Sequence, residues 1–435
     1  MKKQYDVAVV GGGFAGTVAA RDLSKEGISV VLLEGRNRIG GRTYTGEAFG
    51  TQLDLGGTYV HWTQPNVWHE LQRHNLTRLV PPLDQGEKVF WLAEDKVHSG
   101  TQADFLSAVG PAMARLVGDA RARFPMPFDI HAVPNSEIRT ETIEDRMNSL
   151  NLTSYERDVL EGALAGVCHS FSKHGMEQLL WTVAAYFGEY MAFFETAGTF
   201  AIQGGTKALV DAIMAESSAD VLLSTPVSAI ADDGSQVTVT TRGGQQISAR
   251  SVVVAVPINT IADIKITPEV PAPVRTMIEQ RNPTLANKLW VRVKGEIEPF
   301  GIFAPIGKNP INAARTEVRH EGDTLIMCIC SDAAAIDYND LDAVQAALRV
   351  FVPDIEVVGT ACHDWVADEF SQGGWMMHRP GNLTGAAPQM RQAHGRIYFA
   401  GADIAAIDVG AIEGAMETGA VAAREITAAF SGKKR

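Results

Sequence analysis

Cysteine is scarce in this chain. Its four residues, Cys168, Cys328, Cys330 and Cys362, spread over 435 positions, form no disulfide framework, and no C-x-x-C occurs. A reducing compartment fits. Long apolar runs are also lacking. The most membrane-like stretch, Leu179 to Phe194, is interrupted by Gly188 and Glu189 and falls short of the roughly twenty residues a span needs. It reads as a buried core helix. Positive charge is in deficit, with 38 Lys and Arg against 51 Asp and Glu for a net −13. Nucleic-acid binders show the opposite, a basic surface. The N-terminal apolar run reaches Asp6 and a glycine cluster at once, unlike a signal peptide, and the C-terminal "AAREITAAFSGKKR" is too short for a tail anchor. The expectation is a cytoplasmic protein without membrane or nucleic-acid partners. What is present is globular: 46% hydrophobic and 20% charged residues supply a sizeable core. The length predicts two domains, or three.

The first forty-five residues carry the strongest signal. Tyr5 to Val10 is an apolar run followed by Gly11-Gly12-Gly13-Phe14-Ala15-Gly16. A stretch with helical spacing runs to Gly27, and a second apolar strand, Ser29 to Leu33, ends at Glu34. Strand, G-x-G-x-x-G, helix, strand and acid make a complete dinucleotide-binding context. Gly11 permits the tight turn, Gly13 admits a pyrophosphate to the backbone, and Gly16 lets the helix pack on the strand. Around Ala15 the helix N-terminus offers unpaired N–H groups to phosphate. Glu34 is placed to accept from a ribose hydroxyl.

A second glycine pair follows in Gly35-Arg36-Asn37-Arg38-Ile39-Gly40-Gly41-Arg42. Close backbone approach at Gly41, with Arg42 as a charged partner, suits a diphosphate. An ordinary nicotinamide-binding domain has no use for this loop. Here "LLEGRNRIGGRTYT", followed by "LDLGGTYVHWTQPNVW", resembles the flavin-containing amine oxidase family. The resemblance returns in "GGTKALVDAIMAES", "VLLSTPVSAI", "SVVVAVP" and "GRIYFAGADIAAIDVGAIEGAMETG", so it spans nearly the whole chain. It implies an α/β, two-domain, Rossmann-like FAD-binding fold of the amine oxidase/glutathione reductase type, with a mixed α+β substrate domain. Residues 1–80, 204–285 and 385–435 would form the FAD domain, and 81–203 with 286–384 the substrate domain. "VLLSTPVSAI" reads as one strand with Val227 inside it, and "DDGSQ" as a hairpin turn.

The resemblance also implies roles. Arg36, Gly57 and Thr58 fall in the cofactor motifs, the Val227 backbone meets the adenine, and Asp403 accepts from the ribityl or phosphate region. Ala411 and Ile412, at the start of the last helix, face the flavin pyrimidine. Trp365 packs by the flavin ring. Lys288, in "LANKLWVRV", holds a water against the flavin and is the catalytic candidate. Trp375 stands over the flavin face beside the substrate. The family's second aromatic wall would fall at Ala411, so the paired cage is half missing. Tyr59, His169 and Tyr190 are further substrate candidates, and His61 a weaker one. No cysteine lies in "GGWMMH", which implies noncovalent FAD.

The implied reaction is hydride transfer from a neutral amine to flavin, hydrolysis of the imine, and reoxidation by O2 to hydrogen peroxide or by another acceptor. Within the family, "GGTYVHWTQPNVWHEL" resembles oxidases of nicotine-type alkaloids, the narrowest expectation being (S)-6-hydroxynicotine as substrate. Two alternatives stay open: a desaturase or protoporphyrinogen-type oxidase on the same fold, and a non-enzymatic carrier of the GDP-dissociation-inhibitor type. The sequence leaves a homodimer open. No metal is expected: His69 and His74 spell H-E-x-x-x-H, which takes the two rings off one helix face. Ser170 to Lys173 spells S-x-x-K without its companion motifs.

Overall fold

The computed structural model describes residues 4–432. Its first strand, Tyr5–Val10, lies deep in the fold, and its unbroken apolar run is what a parallel strand covered on both faces needs. The helix Phe14–Lys25 follows directly on the glycine loop and stops before Gly27, at φ +73°. Val30–Leu33 then returns parallel to the first strand. Distant segments complete the sheet. Asp220–Leu222 adds outside Val30–Leu33, and Gln246–Val254 pairs with the other edge of Tyr5–Val10, both in parallel. The strand Gln246–Val254 is forked: its first half is antiparallel to Val237–Thr241, its second half parallel to Ile397–Phe399. The antiparallel branch continues through Val227–Asp232 to Lys265–Thr267. The last helix, Ile412–Phe430, crosses the first so closely that a Cβ on Gly419 would stand 2.2 Å from the Ala15 carbonyl oxygen.

A second sheet runs Val357–Cys362, Asn287–Val293, Asp323–Cys330, Ala313–His320, Gly301–Phe303, Val89–Ala93, Lys96–Gly100. Its strands alternate between two cores. Leu289, Val291, Cys328 and Cys330 pack under the helix Leu341–Arg349. Trp290, Met327 and Ile329 face the other way, onto Leu53 and Leu55. Helices between residues 102 and 198 cover one end of this sheet. Three of them start at Thr101, Thr142 and Thr153, each with a reciprocal capping box, which satisfies orphan N–H groups and fixes where each begins. A small sheet of Tyr59–Val60, Phe200–Ile202 and Leu79–Val80 ties this helical region to the glycine loops. The α/β sheet and the mixed second unit are the architecture expected from the sequence.

Two elements differ from expectation. The apolar stretch from Leu179 to Phe194 is two helices, Met176–Ala185 and Tyr190–Gly198. Phe187 at φ +60° and Gly188 at φ +86° turn the chain between them. The second helix buries only Thr196, because its apolar side faces a cavity. "VLLSTPVSAI" is likewise two strands, with Val227 opening the second. The turn between them binds elsewhere: the Ser224 and Thr225 N–H groups donate to the Arg36 and Glu34 carbonyls. Among the described residues, no helix is long and apolar enough to cross a membrane.

Candidate active site

One cavity of about 1070 Å3 runs from the glycine loops to the helical cover. That is at the upper limit of the roughly 300–1,000 Å3 usual for a single small-molecule site. Gly11, Gly13, Ala15, Gly41, Arg42 and Gly57 line it. The two loops meet there: a Cβ on Gly41 would stand 3.0 Å from the Gly13 Cα, and Gly41 has φ +59°. Gly13 itself has room for a methyl, since an added Cβ would meet the Gly41 Cα at an ordinary contact distance of 3.7 Å. Two helices present their N-termini to the same space, Phe14–Lys25 from Gly13 and Ile412–Phe430 from Ala411, and neither has a side-chain cap. Uncapped N–H groups and the positive ends of two helix dipoles are a ready anion site. A dinucleotide diphosphate fits this cradle. Gly16 lies behind it, where an added Cβ would sit 1.9 Å from the Gly11 carbonyl oxygen; its function is packing, and it makes no wall of the cavity.

Glu34 is buried at the strand end. Its Oε2 accepts from the Gly12 N–H at 2.6 Å and its Oε1 from the Arg36 N–H at 2.8 Å. It props both loops while lining the cavity beside Val227. Arg36 is clamped to Asp368 at 2.5 Å and to Ser371 at 2.6 Å, over the ring of Phe370. Arg42 donates to the Gly374 carbonyl at 2.8 Å and to Asp403 Oδ1 at 2.5 Å. Asp403 departs from expectation. It is buried off the cavity wall, with its second oxygen taken by the Ile258 N–H at 2.8 Å. Its visible task is to anchor Arg42, because a charge-assisted bond to a fixed carboxylate orients a guanidinium.

At the far side of the loops stands Lys288. Strand alternation puts it on the cavity face of Asn287–Val293, opposite Ile329. Its Nζ donates to Thr58 Oγ1 at 2.5 Å and to the Asp54 carbonyl at 3.4 Å, and it lies 5.1 Å from the Tyr59 ring centre. Burial pushes Lys288 down to about 8; nearby Asp54 and Glu317 resist the shift and Arg315 adds to it. Trp365 closes this corner, donating to the Leu55 carbonyl at 2.8 Å. Ile412 and Trp365 both line the cavity here.

Beyond this corner the cavity becomes apolar, with Phe105, Leu106, Phe303, Met327 and Ile329 on its walls. Trp375 is held by its Nε1 bond to the Val167 carbonyl at 2.9 Å. Ala411 lines the same cavity, and the residue before it, Gly410, lies against the residue after Trp375: a Cβ on Gly410 would stand 2.9 Å from the Met376 nitrogen. Tyr59 and Tyr190 also reach the wall. His169 does not. It is buried behind Trp375, edge-on to the indole at 4.8 Å, and burial pushes it down to about 3. It supports Trp375 where direct substrate contact was expected. His61 is also off the wall, stacked on Trp62 and bonded to Thr63.

Among the charged wall residues that sequence reasoning missed are Asp408 and Arg315. Asp408, which burial pushes up to about 6, accepts from Tyr186 at 3.0 Å; its non-glycine φ of +45° gives no sequence signal. Arg315 lies on Ala313–His320, whose polar alternation reads as a solvent-facing edge.

A family model for flavin containing amine oxidoreductases matches residues 14–427. The chain belongs to that family. As a flavin amine oxidoreductase it is an enzyme that acts on amines with FAD as its cofactor. It is 33% identical to pseudooxynicotine dehydrogenase of a Pseudomonas species over 436 residues, covering 99% of this chain and 87% of that one. It is 29% identical to (S)-6-hydroxynicotine oxidase of Paenarthrobacter nicotinovorans over 442 residues, covering 97% and 99%. A redesigned putrescine oxidase shares the fold with a TM-score of 0.85 at 22% identity, over 98% of this chain and 99% of that one. Among the described residues no cluster of ligands suits a metal.

Proposed function

We propose that this amine oxidoreductase oxidises a bulky amine carrying a flat aromatic ring, of the class that includes nicotine, pseudooxynicotine and (S)-6-hydroxynicotine. The observation that carries the reading is the open wall: Ala411 and Trp375 line one cavity with Phe105, Leu106, Phe303 and Met327, and position 411 brings no aromatic ring to it. An aromatic ring fills the space a second aromatic wall would take, and stacking on Trp375 orients it. The names of the relatives agree with this class. We place the cofactor in segments 1–80, 204–285 and 385–435, which supply every strand of the first sheet, and the substrate between 81–203 and 286–384.

Gly13, Gly41 and the two helix starts would hold the diphosphate of FAD, Glu34 and Val227 its adenosine, and Trp365, Thr58 and Ile412 its flavin. Bound there, FAD supplies the group that takes two electrons and hydrogen from the amine carbon. The chain supplies position and dryness. Trp375 fixes the ring plane through its own bond to Val167, and Met327 and Ile329 exclude water from the amine. Lys288 has three N–H bonds, two of them committed to Thr58 and the Asp54 carbonyl, so the third is free to order a water at the reacting end. The cofactor is held noncovalently. Cys168 touches the cavity, but burial pushes its thiol up to about 12, far from the thiolate that covalent attachment needs.

The test is an anaerobic flavin-bleaching screen, with kcat/KM for a pyridine-bearing amine and for benzylamine. The pyridine-bearing amine should be the better substrate, since misplacement by about 1 Å costs a small amine on the order of 10²-fold. Ala411→Tyr should penalise the bulky amine more than the small one. Equal rates for both amines, changed equally by Ala411→Tyr, would remove the open wall as the source of specificity.

A further inference from the structure

The cavity face of the second sheet carries two cations on adjacent rows. Lys288 is opposite Ile329, and Ile329 opposite Ala313; in the next row Trp290 is opposite Met327, and Met327 opposite Arg315. Arg315 therefore sits two strands from the Lys288 strand, on the same face, roughly 10 Å away at strand spacing. The Tyr59 ring lies against both, 4.8 Å from the Arg315 guanidinium carbon and 5.1 Å from Lys288 Nζ. Tyr59 donates its hydroxyl to Glu317 at 2.7 Å. Glu317 also accepts from Arg315 Nε at 2.8 Å.

Besides that Nε bond, Arg315 has the Tyr59 hydroxyl as a partner. Its Nη2 is fully enclosed and has no partner. A guanidinium has five donors in a rigid fork, and a largely buried one with most of them unused is costly. The Arg315 side chain is still 19% exposed, and it lines the substrate lobe with Ala313, Met327 and Ile329, so the exposed part of the guanidinium, not the enclosed Nη2, is what a molecule in that lobe meets. The surroundings choose the ligand's charge. Glu317 already neutralises the guanidinium, and Asp84, on the same wall, lies close enough to influence its field. A second anion would face two carboxylates. An uncharged acceptor faces no such penalty.

We propose that Arg315 is a specificity-determining residue that donates to a neutral acceptor on the substrate, a carbonyl oxygen or ring nitrogen, set several bonds from the reacting amine. This deepens the reading of the cavity as a site for an aromatic amine. The substrate class becomes an amine with a polar, uncharged far end, and a purely hydrocarbon amine of the same length is the poorer fit.

Two measurements on the FAD-loaded enzyme test this separately from amine oxidation. Butyrophenone and butylbenzene differ by one carbonyl and contain no amine. Their binding is read from perturbation of the flavin visible spectrum. Wild type should bind the ketone roughly 10–100-fold tighter, the range for a hydrogen bond to a charged group. Arg315→Met should erase the difference, and Arg315→Lys should restore part of it. The second measurement is kcat/KM for an N-methylamine bearing an aryl ketone four carbons away and for its methylene counterpart, where the same preference should appear and vanish. A wild type that does not distinguish ketone from hydrocarbon, or an Arg315→Met enzyme that still does, overturns the proposal. If no amine bleaches the flavin yet the ketone preference holds and depends on Arg315, the amine reading fails and the role of Arg315 stands.

Discussion

A single lysine shows how much chemistry one buried residue carries. Lys288 is charged in water and enclosed here, with two neutral oxygens as its hydrogen-bond partners. Its lowered pKa gives the sign of its effect on stability. A group depressed on folding contributes stability above its unfolded value that is lost as pH falls through the folded value, here about 8. At pH 7 the wild type bears that loss. Lys288→Met should therefore melt no lower than wild type at pH 7 and keep its FAD, while turnover falls about 10²–10⁴-fold. Any inflection near pH 8 in the rate profile should vanish with it. A variant that melts lower yet turns over normally would make Lys288 a structural strand residue. Lys288 was singled out through the family resemblance, which places a lysine at the start of the apolar strand "NKLWVRV"; the residues alone read equally as an ordinary strand-start lysine. Arg315 was not legible, because "AARTEVRH" alternates like a solvent-facing strand and only the fold shows that its polar side meets a cavity. Asp403 was expected, by resemblance, to contact the cofactor, and its place off the cavity wall as the anchor of Arg42 was not legible, since that depends on two segments at opposite ends of the chain.

Among the elements, the opening strand, helix and strand were readable from their spacing and glycines, since each is specified locally. The two misread elements fail for the opposite reason. The stretch from Leu179 to Phe194 is apolar throughout, and hydropathy does not distinguish a core from a cavity wall; only the turn at Phe187 and Gly188 separates the two uses. The strand around Val227 breaks because its Ser224 and Thr225 N–H groups bind the carbonyls of Glu34 and Arg36, far away in sequence. The glycines of the first loop permit a sharp test of the same distinction between fold and site. Gly13→Ala adds a methyl that meets the Gly41 Cα only at ordinary contact distance, so the protein should fold with little change in melting temperature but lose flavin absorbance on purification. Gly16→Ala drives a methyl into the Gly11 carbonyl and should yield little folded protein whether or not FAD is added. If Gly13→Ala bound FAD as tightly as wild type, the cradle between the loops would not be the diphosphate site.

The molecule as a whole has an acid weakness. His169, His174 and His378 are nearly or fully buried, and burial holds His169 near 3, His378 near 4 and His174 well below the ordinary value. Each is neutral when folded and protonated when unfolded at mildly acidic pH. The unfolded chain then binds more protons, so stability is lost as pH falls from about 6.5 towards the folded values. Glu177, pushed up to about 7, and Asp408, at about 6, act in the other direction: the stability they contribute is present below the usual carboxylate range and lost as pH rises through those values. Denaturant unfolding from pH 8 to 4.5 should show the balance. Replacing His378 with Gln should flatten the acid side by about 1.4 kcal/mol per pH unit below pH 6. An unchanged slope would mean that His378 becomes charged without unfolding.

The forked strand Gln246–Val254 has a consequence for how such an enzyme is born. Tyr5–Val10 leaves the ribosome long before its neighbour on one side, Gln246–Val254, and longer still before the strand beyond that, Ile397–Phe399. At about 5–20 residues per second, the opening strand–helix–strand unit waits roughly 20–70 s for the segments that close its sheet. The helix start at Ala411, one side of the phosphate cradle, arrives later still. Cofactor loading is therefore a post-translational event, and during the wait the apolar edge of Tyr5–Val10 is open to the wrong partner. Yield of active enzyme should depend on chaperones more than on how much flavin the cell holds.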